Sequence, residues 1–525
     1  VDLFNNIVTS LFKAQPIPKL DFSGGIPNAC VPLVDVPTLL MNEQQVTELV
    51  EDLEVRFLAN PDPNLHFALL TDLPDAVSRP RENDTDPLVV LARRLIGELN
   101  DRYRDKRNGS FFLLHRHRIY NARQGVWMGW ERKRGKLLDL NRYLQGTFDA
   151  FPEKVGDLGV LRHVRFIITL DSDTQLPHGT AAELVGAIVH PLNRAVIDPK
   201  LHIVTEGYGI LQPRVGVSVS SAARSRLASI YSGQTGFDIY ARAVSDAYQD
   251  LYGEGIFTGK GIYELATFHE VLSHRFPHNS LLSHDLIEGS YARVGLATDI
   301  EIIDEYPSHY SAYTRRKHRW VRGDWQIAQW MFPRVPDESR RYVNNPISTI
   351  SRWRILDNLR RSLSEPFTFL LLAAGWLGLP GGPLYWTIAT LLLLFLPNLV
   401  QLIFSLGNAV VSEQDGALGE ALSGFFQAVG VTFLTLAFLP HQTLLSLDAI
   451  IRSAVRRFIT GERLLEWETA AEAEGSLRSK KRAPVDTYLA AMPLIAIGLG
   501  IIIWVFNWGA LHIALPLLVL WGCAG

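Results

Sequence analysis

Two hydrophobic periods alternate along the first 340 or so residues. The run "CVPLVDVPTLL" from Cys30 is short, apolar and rich in β-branched side chains, which predicts a strand. "EQQVTELVEDLEVRFLAN" follows with apolar positions three and four apart and predicts a helix of about 18 residues; "LHFALLTDL" then predicts a second strand. Strand, helix and strand in that order make a βαβ unit and hence a parallel sheet. Asp35 sits inside the first strand with no evident partner. Residues 77–106 are polar and then helical; "GSFFLLHRHRIYN", "HVRFIITLDSDT", "LHIVTEGYGILQPRVGV" and "EIIDEY" predict further strands. "RKRGKLLDLNRYLQG" and residues 311–331 predict helices with basic faces, and residues 218–300 mix Gly-rich loops with helices. The expected organisation is a lead-in or interfacial segment over 1–28, an α/β domain with a mostly parallel, Rossmann-like sheet over 29–335, and an interfacial helix over 336–365.

The pattern changes after Arg361, because the next basic residue is Arg452. Apolar runs fall at about 366–380, 383–407, 421–447, 485–506 and 509–525, and a membrane-spanning helix needs roughly 20 apolar residues. Basic residues lie at both edges of the gap, at Arg352, Arg354, Arg360 and Arg361 and again from Arg452 to Arg482. Cytosolic flanks collect such residues. Three spans between these edges would put them on opposite sides, so parity favours two, at 366–407. Leu444, Leu447, Ile450, Ile451, Ala454, Val455 and Phe458 recur at helical spacing with arginines mostly on the other face, the mark of an in-plane amphipathic helix. The expectation is therefore a cytosolic interfacial helix and basic loop within 408–482, then two more spans over 483–525.

Composition narrows the class. Of 525 residues, 47% are hydrophobic, and 51 basic against 54 acidic residues leave a formal charge of -3. That balance excludes a nucleic-acid binder driven by bulk positive charge. Cys30 and Cys523 are the two cysteines, too few for a disulfide scaffold or a Cys-rich zinc site. The chain starts at Val1 and stops at Gly525 beside an apolar run, and reads as part of something longer.

Three groups of residues carry candidate chemistry. Asp171-Ser172-Asp173 ends the clearest strand; two carboxylates there can hold a divalent cation against a diphosphate, and open α/β sheets bind ligands beyond the carboxyl ends of their strands. Asp84-Thr85-Asp86 has the same spacing without a preceding strand. Asp285, in "LLSHDLIEG", is placed to be a general base, although Ser283 or Asp285 could equally cap a helix. Arg316-Lys317-His318-Arg319-Trp320 clusters cations beside an aromatic ring, which suits a diphosphate and a stacked sugar, or else a membrane-proximal basic belt. Two patterns are set aside: "GEGIFTGKG" lacks the first Gly and the Ser/Thr of a P-loop, and His115 with His117 lacks further ligands for a metal.

The order of these features, a strand-end Asp72, Asp-x-Asp at 171, Asp285, Arg-x-x-Arg-Trp at 316–320 and then membrane helices, resembles the membrane-embedded processive glycosyltransferases of the inverting, GT-A-fold class. That class usually reads Thr-Glu-Asp and Gln-x-x-Arg-Trp where this chain reads Ser-His-Asp and Arg-x-x-Arg-Trp. Longer runs, among them "FLANPDPNLHFALLTD", "WMGWERKRGKLLDLNR", "LDSDTQLPHGTA", "GYGILQPRVGVS", "FPHNSLLSHDLIEG" and "RRKHRWVRGDWQ", resemble the glycosyltransferase module of bacterial cyclic β-1,2-glucan synthases.

The resemblance implies a GT-A domain that uses UDP-glucose with Mg²⁺ or Mn²⁺ to lengthen a glucan at the cytosolic face of the bacterial inner membrane. It implies that Asp72 contacts the uracil or ribose, that Lys136 lies near the diphosphate, that Asp171 and Asp173 hold the metal, and that Asp285 is the base. Arg316, Arg319 and Trp320 would hold the diphosphate and the acceptor's terminal sugar, with Arg322 a further candidate. The partners implied are UDP-glucose, the growing glucan, membrane lipid and further domains of a longer chain, including a phosphorylase-like one; no nucleic acid is expected. Self-priming on a tyrosine is also implied, with Tyr240 and Tyr120 available. A β-1,3 or β-1,4 product and a non-catalytic glucan-binding module are the rival readings.

Overall fold

The structure, a computed structural model, describes residues 16–80, 86–104, 111–218, 224–225, 247–307, 309–412, 416–466 and 487–524. Tyr240 and Asp84 lie outside the described residues.

The predicted βαβ unit forms. Strand β1 (Pro32–Leu39) leads to a helix at Glu43–Ala59, and β2 (His66–Asp72) returns beside β1 in parallel. The helix starts where Asn42 accepts a hydrogen bond from the Gln45 amide, a side-chain N-cap. Strand β3 (Phe111–His115) pairs in parallel with β2 after a helix at Pro87–Arg102. That helix is capped by Asp86, which accepts from Leu88 N, with Pro87 in its first turn. Asp86 thus has a structural use that the Asp171 triplet does not share.

A short hairpin, β4 (Ile119–Asn121) and β5 (Val126–Met128), precedes the Arg132–Leu144 helix and the edge strand β6 (Glu153–Val155). Strand β7 (Phe166–Thr169) joins β1 in parallel on its other side. Beyond a small ribbon of β8 (Val196–Ile197) and β9 (Val204–Glu206) come β10 (Ile210–Val217), β11 (Gly261–Glu264) and β12 (Val294–Asp304). The main sheet has eight strands in the order β12-β10-β11-β7-β1-β2-β3-β6; β11 and β6 run against the rest. The short strand expected at 301–306 is the end of the 11-residue β12.

Both faces of the sheet are covered, as parallel strands require. The Glu43–Ala59, Pro87–Arg102 and Thr180–Val189 helices bury Val34, Val36 and Ile168 on one face. The Arg132–Leu144, Leu265–Leu272 and Asp285–Ala292 helices bury Leu33, Leu70 and Ile167 on the other. Asp35 is fully buried within this arrangement, accepting from Thr169 Oγ1 at 3.4 Å. Burial pushes its carboxyl up to about 8, against the pull of Lys133 and of that hydrogen bond. The strand accommodates it as a neutral acid at pH 7. Residues 16–28 of the lead-in lie on this domain: Ile17 is buried and Leu20 N donates to Gly186 O at 3.0 Å.

After Ser348 the chain is helical, with helices at Thr349–Ser362, Ser364–Leu377, Gly382–Ser412, Ala417–Ala437, Leu439–Val455, Met492–Phe506 and Leu511–Cys523. Among the described residues, three helical stretches are long and apolar enough to cross a membrane: Gly382–Gly407, Ala417–Ala437 and Thr487–Phe506. The sequence reading places 408–482 wholly at the interface, whereas the structure holds within it the apolar Ala417–Ala437 helix. A break at Phe438, with Pro440 in the next helix's first turn, separates it from the amphipathic Leu439–Val455 helix. The Ser364–Leu377 helix, at 14 residues, is shorter than a full span.

The Leu439–Val455 helix packs on the Tyr310–Ile327 helix of the α/β domain. Tyr310 stacks on Phe438 with ring centroids 4.4 Å apart, Lys317 Nζ reaches Glu365 and Gln442, and His318 Nε2 lies 2.9 Å from Asp448 Oδ2.

Candidate active site

The parallel strands point their carboxyl ends at one edge of the sheet, and the charged residues collect there, as topology dictates. Asp171 and Asp173 follow β7, Asp72 ends β2, Arg116 follows β3, and Asp304 ends β12. The antiparallel β11 begins at this edge, which brings Lys260 to it.

The Asp-x-Asp turn is held from below. Arg56, buried on the first helix, donates from Nε to Thr174 O at 2.9 Å and from Nη2 to Ser172 O and Thr174 O, both at 2.8 Å. Three hydrogen bonds to two carbonyls fix the turn and leave its side chains facing outwards. Asp171 Oδ1 accepts from Lys133 Nζ at 2.6 Å, and its Oδ2 lies 3.2 Å from Lys260 Nζ. Burial favours the neutral acid, but Lys133 and Lys260 outweigh it and hold Asp171 below the usual carboxylate range. Lys260 also pairs with Asp304, whose other oxygen accepts from Thr174 Oγ1 at 2.6 Å.

Asp173 differs from Asp171. It is half-buried and makes no hydrogen bond or ion pair among the described residues. Burial raises its carboxyl, and the charges of Asp304 and Asp171 add to the rise against the pull of Lys260. An uncommitted carboxylate among other acids is a fitting ligand for a divalent cation, which would relieve that repulsion. Asp171 could join it only if a lysine gave way.

Asp285 opens the Asp285–Ala292 helix and lies against Gly259, whose ideal Cβ would stand 2.9 Å from Asp285 Oδ1. Gly259 has φ +84, so the tight approach and the left-handed backbone both require glycine. Lys133 ties the two halves together, bonding Asp171 with the same Nζ that donates to Gly259 O at 2.9 Å. The loop resembling a P-loop thus supplies Gly259 and Lys260 to the site. Asp285 Oδ1 is buried and accepts no hydrogen bond among the described residues. Burial raises its carboxyl, opposed first by His284 and then by Lys133.

The basic helix, Tyr310–Ile327, brings two arginines to the same acids. Arg316 lies with its guanidinium 4.6 Å from the centre of the Trp320 ring and acts electrostatically on Asp173 and Lys260. Arg319 is pushed down to about 10 by burial and then by Arg316, and it interacts with both Asp171 and Asp285. Arg322 points elsewhere: Nη2 donates to Glu466 O at 2.8 Å and Nη1 lies 3.6 Å from the Glu466 carboxylate.

Two expected nucleotide-site residues occupy a buried cluster instead. Asp72 is 2% exposed, and both its oxygens are taken by Arg116, at 2.9 and 2.8 Å. Gly129 makes room for that pair, since a Cβ there would fall 2.4 Å from Asp72 Oδ2. Lys136 Nζ lies 2.5 Å from Thr38 O and 3.1 Å from Asp72. Burial pushes Lys136 down to about 8 despite Asp72. Of the two lysines on this helix, the one that reaches Asp171 is Lys133, one turn earlier.

Sequence reasoning missed Arg56, Arg116, Lys133, Lys260 and Asp304. The signals available were weak: a lysine before a glycine-rich strand start, and an arginine in "HRHR". His115, in that same run, is buried with Nδ1 2.9 Å from Thr71 Oγ1. Among the described residues, His284, Asp285 and Glu288 form the group of His and acid side chains whose ligand atoms converge. There the imidazole and Glu288 already satisfy each other, at 2.8 Å.

No family model matches the chain. Among solved structures, it overlaps the mannosyltransferase PcManGT from Pyrobaculum calidifontis in complex with GDP-Man and Mn2+. The TM-score is 0.42 and the identity 14%, covering 88% of this chain and 95% of that one, an overlap too small to fix the fold. Among curated proteins, it is 38% identical over 530 residues to the cyclic β-(1,2)-glucan synthase NdvB of Rhizobium meliloti (strain 1021). The match covers 99% of this chain and 18% of that protein, so the chain spans less than a fifth of its relative's length. Along essentially all of its length the chain is thus related to one segment of a cyclic β-1,2-glucan synthase, and the resemblance to the glycosyltransferase module of that family, drawn from its motifs, stands.

Proposed function

We propose that this chain is an inverting glucosyltransferase of the GT-A type. It transfers glucose from UDP-glucose to a growing β-1,2-glucan at the cytosolic face of the bacterial inner membrane, within a longer chain whose further domains act on the product. One observation carries the reading: the Asp285 carboxylate, its side chain 28% exposed, lies at the same sheet edge as the Asp171–Asp173 pair, joined to it through Lys133 and Gly259.

The chemistry follows from that arrangement. An acceptor hydroxyl oxygen attacks the anomeric carbon while the Asp285 carboxylate takes its proton, a contribution of typically 10²–10⁴-fold. The carbon–oxygen bond to the β-phosphate breaks on the opposite side, and the electron pair leaves with UDP. One in-line displacement converts the α-linked donor into a β linkage. Lys133, Lys260, Arg316 and Arg319 face the region where the leaving group gains charge, and they are fixed before the reaction starts. Asp173, with Asp171, would hold Mg²⁺ or Mn²⁺, which supplies further neutralisation of the diphosphate. Asp72 supports the donor side of the site as the anchor of the Arg116 cluster. Trp320, backed by Arg316, offers a ring to the acceptor's terminal sugar.

The test is radiolabelled UDP-glucose given to membranes carrying the chain, followed by linkage analysis of the product. β-1,2 linkages are expected, and β-1,3 or β-1,4 linkages would replace the product assignment. UDP release should fall at least 100-fold in Asp285→Asn. Asp173→Ala should lose the Mn²⁺ signal in electron paramagnetic resonance while keeping its fold. Wild-type UDP release in both variants would mean a non-catalytic glucan-binding module.

A further inference from the structure

His284 stands where the related glycosyltransferases usually carry a glutamate, and the structure shows what surrounds it. It is 5% exposed at the N-terminus of the Asp285–Ala292 helix. Its Nδ1 lies 2.8 Å from Glu288 Oε2 and 3.4 Å from Asp285 Oδ1. Glu288 is 2% exposed and one helical turn on, so it meets the imidazole as an i, i+4 partner. The Nδ1–H donates to Glu288, and no hydrogen bond forms to Asp285 Oδ1, which faces the ring without accepting its proton. The arrangement therefore sets the ring against the buried Oδ1 and leaves the exposed part of the carboxylate, 28% of the side chain, for the acceptor.

We infer that His284, held by Glu288, is a positioning residue for Asp285: its imidazolium keeps the neighbouring carboxylate ionised and turned towards the acceptor hydroxyl. The inference rests on Asp285 being the base. Other charges around the pair do not replace His284. Facing it are Glu288 and Asp285 from its own helix and Arg134 from the Arg132–Leu144 helix, whose charge is taken up by Glu131 at 2.7 Å. Facing Asp285 are His284, Lys133, Glu288, Asp171 and, from the basic helix, Arg319. Of the groups acting on Asp285 against burial, His284 stands first. Burial lowers His284 itself, but Glu288 and Asp285 outweigh this and raise it overall, so the pocket favours the charged ring.

The sign is fixed by these directions. A base whose carboxyl is raised loses activity as pH falls through its own value, and removing a neighbouring cation moves that fall to higher pH. An opposite charge at this range typically shifts a carboxyl by one to three units. The experiment is UDP release from UDP-glucose by the membrane-embedded chain in lipid nanodiscs between pH 5 and 9. The expected result is an acidic limb of kcat moved up by about one pH unit in His284→Gln, with KM for UDP-glucose within two-fold of wild type. His284→Lys should bring the limb back towards wild type. A limb that stays put while the rate falls uniformly across pH makes His284 merely structural and overturns the inference. If His284→Gln no longer binds UDP, His284→Asn carries the test with the same expected upward move of the limb, and an unmoved limb overturns the inference. Asp285→Asn at wild-type rate would instead sink the base assignment on which this rests.

Discussion

The most exacting prediction concerns Arg116, which no motif singled out. Its guanidinium is 3% exposed and makes a fork on Asp72 at 2.9 and 2.8 Å, with a third bond to Asp139 at 2.7 Å. It also donates to Trp130 O at 3.1 Å and Arg132 O at 3.3 Å. Arg116→Ala removes the cation and leaves two carboxylates buried. Stranding one partner of a buried ion pair costs about 3–5 kcal/mol. Lys136, 3.1 Å from Asp72, softens the loss there, while Asp139 keeps the weaker influence of Arg142. For a domain of about 300 residues, an unfolding entropy of roughly 2.1 cal/mol/K per residue converts that cost to a fall of about 5–8 °C in Tm. Tryptophan fluorescence during a thermal ramp of the detergent-solubilised chain reads it. The pH dependence is a second handle. Burial acts to raise Asp72, but Arg116 and then Lys136 hold it well below the usual range. Its contribution is present above its unfolded value near 3.9 and is lost as pH falls far beneath that. Without Arg116 the stranded acids protonate easily, so the gap between variant and wild type should narrow towards pH 4. A double variant, Asp72→Asn with Arg116→Met, should recover part of the loss, because Asp72 then carries no charge, while Asp139 and Lys136 still lose a partner. A fall under 2 °C at pH 7, or a gap unchanged at pH 4.5, would refute the ion-pair account of this cluster.

Three further outcomes are expected. Lys133→Met should cut UDP release at saturating UDP-glucose by at least 100-fold, whereas Lys136→Met should mainly lower Tm; steady-state rates beside thermal ramps separate the two. Asp35→Asn should leave Tm unchanged near pH 4 and raise it by a few degrees at pH 8. The raised folded value of Asp35 favours the fold fully only below its unfolded value, and that advantage is lost as pH climbs towards about 8. Asp448→Asn weakens the tie between the basic helix and the Leu439–Val455 helix at His318, and should lower kcat more than it alters UDP affinity measured by equilibrium binding.

Much of the frame was legible because it is local. Strand-length apolar runs and 3.6-residue periodicity need only neighbouring residues, and β1, β2, β7 and the Tyr310–Ile327 helix formed where they were expected. Asp171, Asp173 and Asp285 were legible for a related reason: each follows a strand or opens a helix, so the local pattern places it at an element's end. Lys133 and Lys136 show where this stops. They lie three residues apart on one face of one helix, so periodicity cannot choose between them. Their offset of about 4.5 Å along the axis puts one on Asp171 and the other on Asp72. The membrane segment shows the same limit. Counting charges placed 408–482 at the interface, whereas the helices there break at Phe438, ahead of the Leu439–Val455 helix that packs on the α/β domain.

The sequence by itself determined the class of the protein: an α/β domain with acids at its strand ends, a basic helix, and an apolar helical region behind it. Those properties follow from residue type and spacing. Only the tertiary structure decided which charges meet. Arg116 joins Asp72 across 44 residues, Lys133 joins Asp171 across 38, and Lys260 joins Asp304 across 44. Such pairs are set by strand order and by the height of each side chain above the sheet, neither of which is written in the local pattern. The same holds for the His284–Glu288 pair: helical spacing puts them on one face, but only burial beneath the site sets the imidazole against the Asp285 carboxylate.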